Sequence, residues 1–301
     1  MRDIEFWKMS GSGNDFVLVD NRDGQISDGE MGRFVQSVCR RRVSVGADGV
    51  IFVTRSRTLD FAWRFFNADG GEVEMCGNGS RCVARFAHLK GIAGPDMTFE
   101  TLAGPVQAHV KGRLVKVLMP KPSGLTKDIE LKLPIGDKRC RKDQDSVQPD
   151  MKGTPYDESG RVIVRRADFI NTGVPHVVIQ VRDLDRYPVF EEGRAVRYNS
   201  YFAPAGTNAN FMTMIGPQEI EIRTYERGVE EETLACGTGA IACALTSAAH
   251  GKAVSPVRVK TKGGETLVIY FETNEEGFDK VFLEGNTAVV YRAFLNEEAL
   301  D

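Results

Sequence analysis

The sequence predicts an α+β fold built from one supersecondary unit used twice, and three observations carry that expectation. Two Cys-Gly-x-Gly boxes, Met75-Cys76-Gly77-Asn78-Gly79 and Ala235-Cys236-Gly237-Thr238-Gly239, stand 160 positions apart, and Gly91 with Gly251, Thr101 with Thr261 and Gly104 with Gly264 repeat at the same offset. Short runs of β-branched and aromatic residues, broken by Gly, Pro and charged clusters, read as strands. Helical spacing is confined to a few segments.

The strand runs are Ile4 to Lys8, Phe16 to Val19, Val50 to Val53, Phe61 to Phe66 and Leu114 to Met119 in the first half. In the second they are Val162 to Val164, Val177 to Val181, Phe211 to Met214, Ile220 to Tyr225, Thr266 to Phe271 and Thr287 to Ala293, with Gly263-Gly264 as a tight turn. Ser27-Asp28-Gly29-Glu30 is a capping box, and Phe34, Val35 and Val38 follow it at helical spacing. Gly79 to Lys90 and Gly239 to His250 are the two repeat helices, each ending at a glycine suited to a left-handed cap.

A chain of 301 residues exceeds the usual size of one domain. The expected lobes are 1–121, completed by a returning C-terminal strand at 286–301, and 122–285. The charged, proline- and glycine-rich stretch from Lys121 to Arg161 reads as a linker or variable hairpin region. A net charge of −3, from 39 basic and 42 acidic residues without a long one-sign block, argues against nucleic acid or a membrane surface as partner. A small-molecule ligand fits better. The start Met1-Arg2-Asp3-Ile4-Glu5-Phe6 does not read as a signal peptide and no apolar run suits a membrane span, so a cytoplasmic location is expected. Six cysteines, at 39, 76, 82, 140, 236 and 243, are too sparse for a disulfide framework, and none is spaced as Cys-x-x-Cys. Thiols, no metal and no cofactor are expected.

A helix N-terminus presents unpaired N–H groups and partial positive charge, so it binds anions and lowers the pKa of a nearby thiol. Cys76 and Cys236 each precede such a start, and glycines at 77, 79, 237 and 239 leave the amides open to a substrate carboxylate. Two matched acid/base groups are what inversion at a carbon centre requires. A lone cysteine is more often a small core hydrophobe, but two at repeat-equivalent positions favour function. Cys39, Cys82 and Cys243 read as packing residues, and Cys140 has no visible role. Glu226 and Arg227 in Tyr225-Glu226-Arg227-Gly228 suit an ammonium and a carboxylate, and Asn14 and Asn208, each placed just before a strand, suit a polar ligand. His176, one of four histidines, reads first as a satisfied structural histidine, while a neutral imidazole near a thiol could help set its protonation.

With these residues the chain resembles the diaminopimelate epimerase family. The resemblance rests on Gly13-Asn14-Asp15-Phe16, Phe66-Asn67-Ala68-Asp69-Gly70, Cys76-Gly77-Asn78-Gly79-Ser80-Arg81-Cys82, Pro175-His176, Asn208-Ala209-Asn210-Phe211, Tyr225-Glu226-Arg227-Gly228 and the second cysteine box. It implies two similar lobes related by pseudo-two-fold symmetry, each a mostly antiparallel β-sheet wrapped around a central helix, with the site in the cleft between. It further implies interconversion of LL- and meso-diaminopimelate, a diamino dicarboxylate, without pyridoxal phosphate, and the possibility of a homodimer. Cys76 and Cys236 take the roles of the two bases. Asn14, Asn67, Asn208, Glu226 and Arg227 correspond to substrate ligands, Gly77, Asn78, Gly237 and Thr238 to the carboxylate cradle, and His176 and Glu226 to groups that tune the thiols. Val174 stands where many members carry Asn. Proline racemase and hydroxyproline epimerase relatives remain an alternative, though Asn78 occupies a place where they usually carry His; a thiol-disulfide redox protein and a non-catalytic amino-acid binder are others.

Overall fold

Side-chain alternation sets the strands of the computed structural model, which describes residues 4–134, 162–275 and 277–300. The chain forms two units, Met1–Met119 with Phe282–Asp301, and Pro120–Val281. In the first, β1 (Ile4–Gly11), β2 (Asn14–Asp20), α1 (Asp28–Val38), β3 (Gly49–Thr54), β4 (Phe61–Asn67), β5 (Glu72–Val73), α2 (Gly77–Leu89), β6 (Asp96–Thr101), β7 (Gly104–Lys111) and β8 (Leu114–Leu118) follow in order. β1 pairs antiparallel with β2, β2 parallel with β3 across α1, β3 antiparallel with β4, and β4 parallel with β6 across α2. β6, β7 and β8 form an antiparallel meander.

The second unit holds β9 (Ser123–Pro134), β10 (Val162–Asn171), β11 (Pro175–Gln180), α3 (Val189–Arg197), β12 (Asn208–Gly216), β13 (Glu219–Glu226), β14 (Glu231–Thr233), α4 (Gly237–Ala249), β15 (Val257–Lys260) and β16 (Thr266–Asn274). Its pairing order is that of the first: β10 antiparallel to β11, β11 parallel to β12 across α3, β12 antiparallel to β13, β13 parallel to β15 across α4, and β15 antiparallel to β16. β17 (Gly277–Asn286) pairs through its last five residues with β8. β18 (Ala288–Leu295) lies antiparallel on β1, as β9 lies on β10.

Each unit encloses one helix. α2 packs against β1, β2, β3, β7 and β8, and α4 against β10, β11, β12, β13, β15 and β16. In α4, Ala240 to Ser247 are all buried, which requires small side chains on every face. The repeat extends to backbone detail. Gly91 and Gly251 close α2 and α4 at φ +68° and +69°, in each case with the next residue's N–H returning to the helix, Ile92 to Ala87 and Lys252 to Ser247 at 2.8 and 2.9 Å. That is the Schellman closure only a left-handed residue permits.

The outer helices seal the other sheet faces. Phe34, Val35 and Val38 of α1 pack with Val17, Val19, Val50, Phe52 and Phe66, and Val189 and Val196 of α3 with Val177, Ile179, Ala209, Phe211 and Tyr225. The capping box holds as expected, the Ser27 N–H donating to Glu30 at 3.2 Å.

Three expectations are corrected. Helix α3 was not anticipated, because Gly193 and four charged residues mask its short apolar face. Over 121–161 the linker alternative is corrected and the hairpin one fits: β9 pairs antiparallel with β10, and its Ile129, Leu131 and Leu133 are buried while Glu130 and Lys132 between them stay exposed, an inward alternation hidden by those charges. Residues 135–161, Cys140 among them, lie outside the described residues. The repeat helices begin at Gly77 and Gly237, so Cys76 and Cys236 are the N-caps themselves. Strands β6, β7, β15 and β17 also exceed the sequence expectation.

Gly193 is the tightest packing constraint in α3, since a Cβ there would lie 2.4 Å from Tyr225 Cβ. Gly193→Ala is expected to destabilise the protein by about 1–3 kcal/mol despite alanine's better helix propensity, read from the denaturant midpoint.

Candidate active site

In the first unit the N-cap of α2 gathers three of the expected residues. Cys76, half-buried, has extended backbone and accepts the Gly79 N–H on its sulfur at 3.4 Å. A thiol is thus placed where an oxygen cap usually sits. Asn78 in the first turn is buried and donates from Nδ2 to Asn14 Oδ1 at 2.6 Å. Asn14 opens β2 as its first residue instead of preceding it. Asn67 stands apart, exposed at the end of β4 opposite Gly49.

The glycines have a packing reason that the sequence reading did not give. A Cβ on Gly77 would meet Leu283 at 3.1 Å and Met119 at 3.3 Å, and one on Gly79 would meet Ile51 at 3.2 Å. A Cβ on Gly239 would collide with Asn210 Oδ1 at 2.3 Å. These three glycines let the helix starts settle against their own lobe.

In the second unit Cys236 is buried at the N-cap of α4, with its sulfur 3.5 Å from Thr238 Oγ1. The Glu226 carboxylate, at the end of β13, hydrogen-bonds this thiol and is itself held by the Thr233 hydroxyl at 2.5 Å. Burial, and then the facing Glu226 charge, push the Cys236 thiol well above the ordinary cysteine range. This corrects the expectation of a lowered pKa at both thiols: at Cys236 desolvation and a like charge outweigh the helix N-terminus. Burial also raises Glu226, against the lowering effect of Thr233 and Cys236.

Asn208 is spent largely on the scaffold. Its Nδ2 donates to the Pro175 carbonyl at 3.0 Å and its Oδ1 accepts the Arg227 N–H at 2.8 Å. The Arg227 guanidinium donates to the Ala205 carbonyl at 3.1 Å. Fully buried His176 accepts from Asn210 Nδ2 on Nδ1 at 3.1 Å, and that orientation of Asn210 is fixed because the same Nδ2 donates to the Val177 carbonyl at 2.8 Å, which leaves the oxygen for the Thr224 hydroxyl at 3.0 Å. His176 is therefore neutral with its proton on Nε2, and burial, aided by the Arg227 charge, lowers its pKa from 6.5 to about 3. Gly237 is buried at the first position of α4, and the Thr238 carbonyl accepts from Thr172 Oγ1 at 2.9 Å.

Thr233, Asn210 and Thr172 were not singled out in the sequence. Asn210 had the clearest signal, a polar residue between the buried Ala209 and Phe211 of β12. Among the described residues Cys39, Cys82 and Cys243 are buried and behave as packing residues: burial raises Cys39 to about 12 and Cys243 further still. Among the described residues Asp128, Asp168 and His250 form the one trio with metal-ligand proximity. His250 Nε2 lies 3.0 Å from both Asp168 oxygens, so a hydrogen bond accounts for its core. No helix among the described residues is long and apolar enough to cross a membrane.

Duplicated lobes of this pairing order define a fold class seen in solved structures. The chain aligns over 98% of its length with a Bacillus anthracis phenazine biosynthesis protein of the PhzF family, covering all of that chain at TM-score 0.66 and 17% identity. It aligns equally, over 98%, with a probable proline racemase from Agrobacterium radiobacter K84, covering 93% of it at TM-score 0.66 and 15% identity. The sequence is more specific: a family model described as diaminopimelate epimerase matches residues 6–124 and 169–290. Similar relatives are the diaminopimelate epimerases of Aquifex aeolicus, 43% identical over 99% of this chain and 100% of the relative, and Hydrogenobaculum sp. (strain Y04AAS1), 44% identical over 97% and 98%. The chain belongs to the diaminopimelate epimerase family and is an isomerase.

Two predictions follow from the electrostatics. Because His176 titrates near 3 when folded and near 6.5 when free, the unfolded chain alone takes up a proton between those values. Stability is expected to fall as pH drops through 6.5 toward 3, and His176→Gln, which has no such proton to gain, should lose less over the same range in urea titrations. At Cys236, Glu226→Gln removes the facing negative charge. In a Cys76→Ala background, the pH midpoint for iodoacetamide alkylation of Cys236, followed by peptide mass spectrometry, should move down.

Proposed function

We propose that this epimerase interconverts LL- and meso-diaminopimelate, a step of lysine biosynthesis, with Cys76 and Cys236 as the two proton-transfer groups. Inversion at a carbon requires that a proton leave one face and another arrive at the opposite face. One thiolate takes the α-proton to become a thiol. The other thiol gives up its proton to the carbanion and becomes a thiolate, so charge and hydrogen balance without a bound cofactor. The observation that carries this reading is the placement of both cysteines at equivalent N-caps of the duplicated helices α2 and α4. Packing alone gives no reason for a thiol at both caps.

The pair is not symmetric. Cys236, buried and bonded to Glu226, favours the protonated form, which suits the proton donor in the direction that starts with a Cys76 thiolate. The first-turn amides at Gly77, Asn78, Gly237 and Thr238 suit the reacting carboxylate, as helix N-termini suit anions generally. Arg227, with its backbone held by Asn208, suits the distal carboxylate, while Asn14 and Asn67 complete the polar contacts. His176, neutral and buried, supports Arg227's surroundings without adding a competing charge.

Solvent exchange is the direct test. In heavy water the wild-type protein should place deuterium at the α-carbon of the inverted product from LL-diaminopimelate. Cys76→Ala and Cys236→Ala should each lower turnover by roughly 10²–10⁴-fold, the usual worth of a general acid or base, with the fold retained by circular dichroism. Either variant keeping more than about a tenth of wild-type turnover would contradict the two-thiol scheme.

A further inference from the structure

A chain of side-chain hydrogen bonds runs from the first turn of α2 to the loop before β3, and its two ends differ in kind. At one end Arg81, fully buried, donates from Nη2 to Asn78 Oδ1 at 2.9 Å and to Ser12 Oγ. A guanidinium has donors only. Asn78 passes the direction on through Nδ2 to Asn14 Oδ1 at 2.6 Å, and Asn14 Nδ2 donates to Asp48 Oδ2 at 3.0 Å. A carboxylate has acceptors only.

A donor-only start and an acceptor-only end leave each asparagine one orientation. Reversing either amide would set oxygen against oxygen or NH₂ against NH₂ at one of the links. Asp48 is itself anchored: it accepts the Asp15 N–H at 3.1 Å and Arg41 Nη2 at 2.8 Å, and its own N–H donates to the Asp15 carbonyl at 2.9 Å. Asp15 in turn pairs with the buried Lys8 at 2.7 Å. Each amide so held keeps one further N–H, and its oxygen is engaged within the chain. A ligand group meeting Asn14 and Asn78 meets donors, which suits a carboxylate.

We propose that Asp48 is a positioning residue for the reaction: its carboxylate is needed, with Arg81 at the other end, to hold the Asn14 and Asn78 amides beside Cys76 in one direction, so that both turn N–H groups to an anionic part of the substrate. This rests on the reading of Asn14 and Asn78 as substrate ligands. Asp48 touches no substrate in this scheme and acts only through Asn14.

Two variants and two readouts test it. Asp48→Asn is isosteric but offers an NH₂ as well as an oxygen, so the direction is imposed from the Arg81 end alone; Asp48→Glu keeps an acceptor-only end. In asparagine-labelled protein without substrate, the side-chain amide signals of Asn14 and Asn78 should be single in wild type and in Asp48→Glu, and doubled or exchange-broadened in Asp48→Asn. With LL-diaminopimelate, Asp48→Asn should raise KM about tenfold with kcat within about threefold, and Asp48→Glu should recover most of the loss. Unchanged Asn14 and Asn78 signals in Asp48→Asn would overturn the assignment of direction to Asp48. Altered signals with an unchanged KM would overturn it differently, by showing that the fixed amides do not hold substrate.

Discussion

A sulfur at the N-cap of a buried helix is the constraint on which the rest of each lobe turns. The cap position demands extended backbone just ahead of the helix, and both cysteines have it, at φ −145° and −126°. A helix this enclosed cannot leave its first amides to bulk water, so the groups around its start must be polar and placed by the sheet. The Cys76 sulfur takes the Gly79 N–H in the first unit and the Cys236 sulfur the Gly239 N–H in the second, with Asn78 and Asn14 beside the one and Thr238 and Glu226 beside the other. Around them small residues, Gly237, Gly239, Ala240 and Ala242 in the first turns of α4, let the strands close in.

Duplication supplied the frame, and divergence supplied the chemistry. Both lobes keep the same order of parallel and antiparallel pairs and the same left-handed glycine after the enclosed helix. Yet Glu226 is a carboxylate, while the strand register puts Asn67 at its counterpart, Phe66 facing Glu72 in β5 as Tyr225 faces Glu232 in β14. One replacement at equivalent places thus gives Cys236 a carboxylate neighbour where the first unit has an exposed amide. The two caps share a geometry without sharing an environment.

The cysteine boxes, the capped first helix and most of the long strands were legible in the sequence, because each has a local signature: a repeat, a capping box, a run of β-branched residues. Helix α3 was not, since its apolar face is reduced to Val189 and Val196 and its Gly193 answers to Tyr225, a residue far along the chain. β9 was hidden for a related reason, its inward Ile129, Leu131 and Leu133 being interleaved with charges that give the segment the look of a linker. At the site, residue types were visible and their electrostatics were not. The direction of the Cys236 shift depends on burial and on a carboxylate ten positions away, and neither is written in the Cys-Gly-Thr-Gly box. The amide chain through Asn14 and Asn78 likewise needs the start of β2, the first turn of α2 and the loop before β3 to meet before its direction exists.

The unequal caps carry a cost in time. On the two-thiol reading, one passage exchanges which sulfur holds hydrogen, so the enzyme that releases product is not the enzyme that bound substrate. The equilibrium between the stereoisomers is a property of those molecules, and no asymmetry in the catalyst can tilt it. What asymmetry does fix is the free energy of the two resting forms, and with Glu226 pressing a hydrogen onto Cys236, one form lies below the other. Resetting between turnovers is then a step in its own right, uphill after one direction and downhill after its reverse.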